Sequence, residues 1–254
     1  MIKLLQGNCL ELMQKIPDKS VNLILCDLPY GITACEWDHV IPFDLLWEQY
    51  NRLVTNTGVI ALFGTEPFST KLRMSNLKNY KYDWYWYKNK ANGFQHAKNR
   101  PLMRVETISV FSNAPMGHAS LLGEARMQYN PQGVIRGGVR TVEMYKHGRL
   151  LGRRPNQEGK QYQAYENYPD NVLFYDSLFG DRAKHPTQKP VPLLEYLIKT
   201  YTKEGDNVLD NCMGSGSTGV ACINTHRNFI GMELDQRYFE LASKRINQTV
   251  PPLF

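Results

Sequence analysis

The chain has 254 residues and a formal net charge of +6, with 42% hydrophobic and 21% charged residues. That is enough apolar material for one large globular domain. No apolar run reaches the ~20 residues of a membrane helix, and Met1–Asn8 lacks the apolar stretch and cleavage site of a secretory signal. Cys9, Cys26, Cys35, Cys212 and Cys222 are odd in number and never form a C-x-x-C pair. They argue against a disulfide scaffold or a zinc knuckle and for a reducing cytoplasm. His39, His96, His118, His147 and His226 have no metal-like spacing, so no metal site is expected.

Taken in order, Ile2–Leu5 reads as a short strand, and Asn8 with Glu11 three residues on reads as a capping box opening a helix to about Ile16. Val21–Cys26 is an apolar run broken only by Asn22, as expected of a parallel strand buried on both faces. A helix over Phe43–Leu53, a strand over Val59–Phe63 and a helix over Phe68–Asn76 follow, then strands over Tyr82–Tyr87 and Val105–Phe111. From Ser112 to Lys184 the periodicity fails in a Gly-, Arg- and Tyr-rich stretch, which predicts a functional insertion. Order returns with a helix from Pro190 to about Tyr201, a strand Asn207–Leu209 and a Gly-rich turn. A helix Ser217–Asn224, a strand Phe229–Gly231 and a helix Gln236–Asn247 complete the chain. The expected architecture is a doubly wound, mostly parallel α/β sheet with a basic, irregular insert.

The positive charge is clustered. Between Lys71 and Arg104 lie nine Lys/Arg residues against one acid, Asp83, and between Arg126 and Arg154 seven against one, Glu143. Tyr80, Tyr82, Trp84, Tyr85, Trp86, Tyr87, Phe94, Tyr129 and Tyr145 are interleaved with them. Cations for phosphates and flat rings for unstacked bases suit nucleic acid. A solvated basic face beside core-filling aromatics accounts for the same pattern, and composition alone does not separate the two.

Two turns carry chemistry. Gly214-Ser215-Gly216-Ser217-Thr218-Gly219 follows a strand ending at Asp210 and opens a helix, with Glu233 about twenty residues on. Glycines admit close backbone approach and an acid at that distance accepts ribose hydroxyls, the parts of a nucleoside cradle. Few residues follow Glu233, so the rest of the sheet must come from earlier in the chain. Asp27-Leu28-Pro29-Tyr30 ends the buried strand Val21–Cys26. Pro29 drives Leu28 towards an extended conformation, so the Asp27 carboxylate and the Leu28 carbonyl can point the same way. Two adjacent acceptors suit an amino group, and Tyr30 offers a face to the ring bearing it.

Asp27-Leu28-Pro29-Tyr30 and Asp210-Asn211-Cys212-Met213-Gly214-Ser215-Gly216 together resemble the amino-methyltransferases of DNA, which methylate adenine N6 or cytosine N4 from S-adenosylmethionine. The order, tetrapeptide first and glycine turn last, resembles the permuted β group of that family. The likeness covers nearly the whole chain outside Ser112–Lys184. It extends to Gly7-Asn8-Cys9-Leu10-Glu11, to Trp86-Tyr87-Lys88 with Glu106, to His185-Pro186-Thr187-Gln188-Lys189-Pro190 and to Asn228-Phe229-Ile230-Gly231-Met232-Glu233. Leu28 stands where the family usually has Pro, which keeps the carbonyl acceptor. Cys212 stands where it usually has Phe, which removes no polar contact.

The resemblance implies a Rossmann-like methyltransferase sheet, with catalytic residues 1–111, a target-recognition insert 112–184 and a cofactor-binding part 185–254. It implies catalytic roles for Asp27, Leu28, Pro29 and Tyr30. For S-adenosylmethionine it implies Asn8, Cys9, Asp27, Lys189, Asp210, Cys212, Met213, Gly214, Ser215, Gly216, Ser217, Thr218, Glu233 and Leu234. Lys88, Lys90, Arg100, Arg126, Arg136, Arg140, Arg149, Arg153 and Arg154 are the candidates for DNA contacts. The expected substrate is a flipped base in double-stranded DNA, with adenine N6 favoured by Asp27 because cytosine-N4 members more often carry Ser there. The expected setting is the cytoplasm of a bacterium or phage-infected cell, at the nucleoid, with a homodimer and a cognate restriction endonuclease as possible partners. Cytosine N4, RNA and protein glutamine remain alternative acceptors. A nicotinamide-dependent enzyme and a non-catalytic DNA-binding protein remain alternative classes.

Overall fold

In the computed structural model, which describes residues 1–31, 38–141, 160–177 and 188–249, the chain opens with β1 (Ile2–Gln6), α1 (Cys9–Met13) and β2 (Val21–Cys26). Then come α2 (Phe43–Leu53), β3 (Val54–Gly64), α3 (Phe68–Ser75), β4 (Tyr80–Asn92) and β5 (Met103–Phe111). Short elements follow: α4 (Ala119–Leu122), β6 (Ile135–Thr141), β7 (Gln161–Glu166) and β8 (Val172–Phe174). The last part alternates regularly through α5 (Val191–Tyr201), β9 (Asn207–Asp210), α6 (Ser217–Asn224), β10 (Asn228–Glu233) and α7 (Gln236–Thr249).

Eight strands form one sheet in the order β1-β10-β9-β2-β3-β5-β4-β8. The run from β1 to β3 is parallel, and β5 is antiparallel to both β3 and β4. Side-chain alternation explains why β2 and β3 read as unbroken apolar runs. Leu23, Leu25, Val59, Ala61 and Phe63 pack with residues of α5, α6 and α7 on one face. Ile24, Cys26, Ile60 and Leu62 pack with residues of α1, α2 and α3 on the other. A strand covered on both sides needs an apolar residue at every position.

The strand order reverses between β2 and β9. From β2 the chain moves outward to β3, and from β9 it moves the other way to β10. In open α/β sheets ligands bind beyond the carboxyl ends of the strands at such a switch point. Asp27 and Asp210 stand at those two carboxyl ends.

Strand and helix cores fall where periodicity predicts, but several ends and one region differ. β3 begins at Val54 rather than Val59, because Val54 pairs with Val21 across a register shift and draws polar Thr55-Asn56-Thr57 into the strand. β4 reaches Asn92 through Lys88-Asn89-Lys90, its far end pairing with Met103. The stretch 112–184 is not uniformly irregular. Residues 112–130 and those from 171 onward belong to the main compact unit, and Pro131–Asp170 forms a second one. β8 joins the main sheet beside β4, too short to show any period. In the second unit β6 and β7 pair as an antiparallel ladder with a register shift at Gly137-Gly138. Most of their side chains are exposed, so no apolar face marks them in the sequence.

The helix after the glycine turn sits hard against α7. A Cβ on Gly219 would lie 2.5 Å from Ile246 Cδ1 and 2.8 Å from the buried Phe229 ring. Gly219→Ala is therefore expected to cost about 1–3 kcal/mol through overpacking. Thermal unfolding should show a Tm several degrees lower; an unchanged Tm would mean the two helices separate freely.

Candidate active site

A cavity of about 550 Å³ opens at the carboxyl ends of the parallel strands. Gly7 and Asn8 follow β1, Asp27 follows β2 and Thr65 follows β3, while Asp210 ends β9 and Glu233 ends β10. Leu28, Pro29, Tyr30, Cys9, Lys189, Cys212, Met213, Gly214, Ser215, Ser217, Thr218 and Leu234 also line it, whereas Gly216 of the cofactor candidates does not. Both turns thus face one space.

At one end, the glycine turn is built on backbone geometry. Gly214 and Gly216 have φ of +51° and +76°, and a Cβ on Gly216 would lie 3.2 Å from the Ala242 backbone. Only glycine meets both demands. Glu233, 9% exposed, accepts from Gly214 N–H at 2.9 Å and from Asp235 N–H at 3.0 Å. With a further amide, Leu234 N–H, beside it, the carboxylate's roughly four lone-pair sites still leave capacity for a ligand hydroxyl. Burial pushes its carboxyl above the usual range, against these amide hydrogen bonds. Asp210 accepts from Thr218 Oγ1 at 2.6 Å and Cys212 N–H at 3.1 Å, and burial pushes its pKa up to about 6. The Asn8 side chain caps α1 by accepting from Leu10 N–H at 2.9 Å. This turn can receive a nucleoside: its backbone is unobstructed and its carboxylate carries free acceptor capacity.

At the other end lies a buried ionic chain. Lys189 Nζ stands 2.5 Å from Asp27 Oδ2 and 3.0 Å from Glu106 Oε1. Lys88 Nζ stands 2.5 Å from Glu106 Oε2. The Tyr30 hydroxyl donates to Asp27 Oδ1 at 2.5 Å, and the Tyr30 and Phe68 ring centroids are 4.8 Å apart. Burial raises the Asp27 carboxyl, opposed by Lys189. Burial also disfavours charge on Glu106, but Lys189 and Lys88 outweigh it and hold that carboxyl below the usual range.

Among the described residues, the thiols beside this chain are held protonated by burial and by hydrogen bonds to one another. Burial pushes Cys26 up to about 12, and Cys9 and Cys212 are raised as well. The Asn211 amide reaches Cys9 Sγ at 3.7 Å and Cys212 Sγ at 3.5 Å. Protonated thiols are poor nucleophiles. Among the described residues no His, Cys, Asp and Glu cluster could hold a metal ion, and no helix is long and apolar enough to cross a membrane.

The basic candidates divide. Lys88 lines the cavity and is committed to Glu106, so it is no exposed phosphate contact. Lys90, Arg100 and Arg126 are exposed in the main unit, and Arg136 and Arg140 on β6 of the second, Arg140 2.5 Å from Glu166. Arg149, Arg153, Arg154, Cys35 and His185-Pro186-Thr187 lie outside the described residues. The aromatics divide too: Trp84 and Trp86 are core, whereas Tyr85, Tyr87 and Phe94 are exposed.

The DNA methylase family matches residues 21–244. The chain belongs to that family. M2.MboI of Moraxella bovis, a type II methyltransferase, is 42% identical to this methylase over 98% of its chain and 88% of its own length. The M1.HpyAVI–SAM complex superposes with a TM-score of 0.62 at 24% identity, over 97% of this methylase and all of that chain. The PvuII DNA methyltransferase, described as cytosine-N4-specific, superposes at 0.64 with 15% identity, over 98% and 90%. Both share the methylase fold.

Three residues of the methylase site escaped sequence reasoning. Arg245 on α7 donates to Ser215 O at 3.1 Å, Ser215 Oγ at 3.2 Å and Ser217 Oγ at 3.0 Å, pinning the glycine turn from behind. Tyr50 on α2 donates to Asn211 Oδ1 at 2.6 Å. Asn89 accepts from Ser177 N–H and Oγ at 3.1 and 2.9 Å, fastening one cavity wall. None lies in a motif; only tertiary contact connects them to the site.

Proposed function

We propose that this methylase transfers a methyl group from S-adenosylmethionine to adenine N6 of a base flipped out of double-stranded DNA. The observation that carries the reading is a single cavity holding the Asp27 carboxylate at one end and the Glu233-backed glycine turn at the other. Glu233 and Asn8 would hold the nucleoside of the cofactor, with Asp210, Met213, Gly214 and the turn through Thr218 forming its cradle. When bound, S-adenosylmethionine supplies an electrophilic methyl group.

The protein's own part is to make a poor nucleophile reactive. An exocyclic amine delocalises its lone pair into the ring. Asp27 and the Leu28 carbonyl accept its two N–H bonds, favour tetrahedral nitrogen and stabilise the positive charge that develops there. Tyr30 stacks on the extruded ring, offsetting part of the few kcal/mol that flipping costs. The raised thiols take no part. Adenine is chosen over cytosine because Asp, not Ser, occupies position 27; cytosine-N4 chemistry on the same fold is the second reading, motivated by the PvuII likeness.

Methyl-labelled S-adenosylmethionine incubated with duplex DNA, RNA and protein tests the reading. Label in duplex DNA is expected; label confined to RNA or protein would contradict it. Lys90, Arg100, Arg126, Arg136 and Arg140 are the proposed phosphate contacts, with Arg149, Arg153 and Arg154 beyond the described residues. Replacing Arg136 and Arg140 by Gln should weaken DNA binding and shallow the plot of log K against log salt by about 0.9 per lost contact. An unchanged slope would place the phosphate contacts elsewhere. A second copy of the chain, a cognate restriction endonuclease and a nucleoid setting complete the proposal, by likeness to the type II relatives.

A further inference from the structure

Both oxygens of the Asp27 carboxylate are engaged before any base arrives: Oδ2 by Lys189 at 2.5 Å and Oδ1 by the Tyr30 hydroxyl at 2.5 Å. An amine needs one of them. A lone ammonium beside a carboxylate is free to straddle both oxygens, because Lys is a compact charge on a flexible stem. Here it is pulled aside. Glu106 Oε1 holds Lys189 Nζ at 3.0 Å, and the Phe63 ring lies 5.1 Å from the same nitrogen. The Tyr30 hydroxyl also has a second acceptor, Glu106 Oε1 at 3.4 Å. Lys88 balances Glu106 from the far side at 2.5 Å and lies over the Trp86 ring. The four charged side chains are only 5–22% exposed.

We propose that Glu106 is a positioning residue that keeps Asp27 Oδ1 available to the target amine. It confines Lys189 to Oδ2 and receives the Tyr30 hydroxyl when the amine displaces it. It also sets the charge of the chain: Asp27 and Glu106 balance Lys88 and Lys189, so the site meets a cationic methyl donor without a positive excess. This rests on the amine-methylation reading above.

Two substitutions test it by single-turnover methyl transfer to duplex DNA across pH. Asp27 faces Lys189, Glu106 and Tyr30, with Cys26 just before it at the end of β2 and Asp210 at the end of the neighbouring β9; Glu106 faces Lys88, Lys189, Tyr30 and Asp27. Glu106→Gln removes a negative charge that opposes ionisation of Asp27, so the acid limb of the profile should move to lower pH. Misplacing Lys189 should also reduce the plateau rate by about 100-fold, with cofactor affinity changed less than the rate. Lys88→Gln removes a positive charge and should move the acid limb the other way. A purely structural role would lower Tm in both variants and leave the limbs in place. Opposite limb shifts support the proposal. Unmoved limbs, or shifts in one direction, in an assay where the wild-type chain is active overturn it. A wild-type chain that transfers nothing to DNA overturns the function reading instead.

Discussion

Asp27→Ala is expected to reduce methyl transfer to duplex DNA by about three orders of magnitude, with cofactor affinity little changed. Removing one preorganised polar partner of a developing charge costs about 10²–10³ in rate. Here a second effect acts in the same direction. Without Asp27, Lys88 and Lys189 share the one carboxylate of Glu106, 2.5 and 3.0 Å away. The resulting buried positive excess opposes the positive charge growing on the amine in the transition state. Asp27→Asn preserves volume yet supplies one acceptor oxygen and no charge, so its loss should be nearly as large. The cofactor cradle is anchored separately, through Glu233, Asp210 and Arg245. Single-turnover kinetics with calorimetric titration of the cofactor separates the effects. A variant within tenfold of wild type would remove Asp27 from the mechanism.

Glu233→Ala should do the reverse, weakening the cofactor roughly thirtyfold through the loss of about 2 kcal/mol of charge-assisted hydrogen bonding. Its carboxylate serves the Gly214 and Asp235 amides as well as any ribose hydroxyl. Alanine therefore leaves amides of the cradle without their acceptor and loosens the turn. Glu233→Gln keeps one acceptor oxygen and should fall between. At saturating cofactor the methyl-transfer rate should recover substantially, because the Asp27 end keeps its own supports. Unchanged affinity by calorimetry would show that Glu233 does not hold the cofactor.

The two candidate turns are legible as neighbours of one cavity because each joins a local pattern to a forced position. Asp27-Leu28-Pro29-Tyr30 closes a strand whose six residues run Val-Asn-Leu-Ile-Leu-Cys, and a buried parallel strand delivers its carboxyl end to the ligand side of the sheet. Gly214–Gly219 likewise joins β9 to α6. Lys88 shows what a linear reading misses. A lysine in a basic stretch looks the same whether it faces solvent or a buried glutamate, and only the β4–β5 pairing, with Trp86 opposite Glu106, brings that glutamate alongside. The alternation Trp84-Tyr85-Trp86-Tyr87 held the answer for the aromatics, since period two must put the tryptophans on one face and the tyrosines on the other. With every position aromatic, no polar residue marked which face was outside. Arg245 left no signal at all. It lies thirty residues from Ser215, and its role depends on α7 packing against α6.

Nucleoside mass spectrometry of duplex DNA treated with the purified protein and S-adenosylmethionine identifies the methylated base. N6-methyladenine is expected, and none above background when Asp27 is replaced by Ala. N4-methylcytosine alone, or DNA with no methylated base, would contradict it.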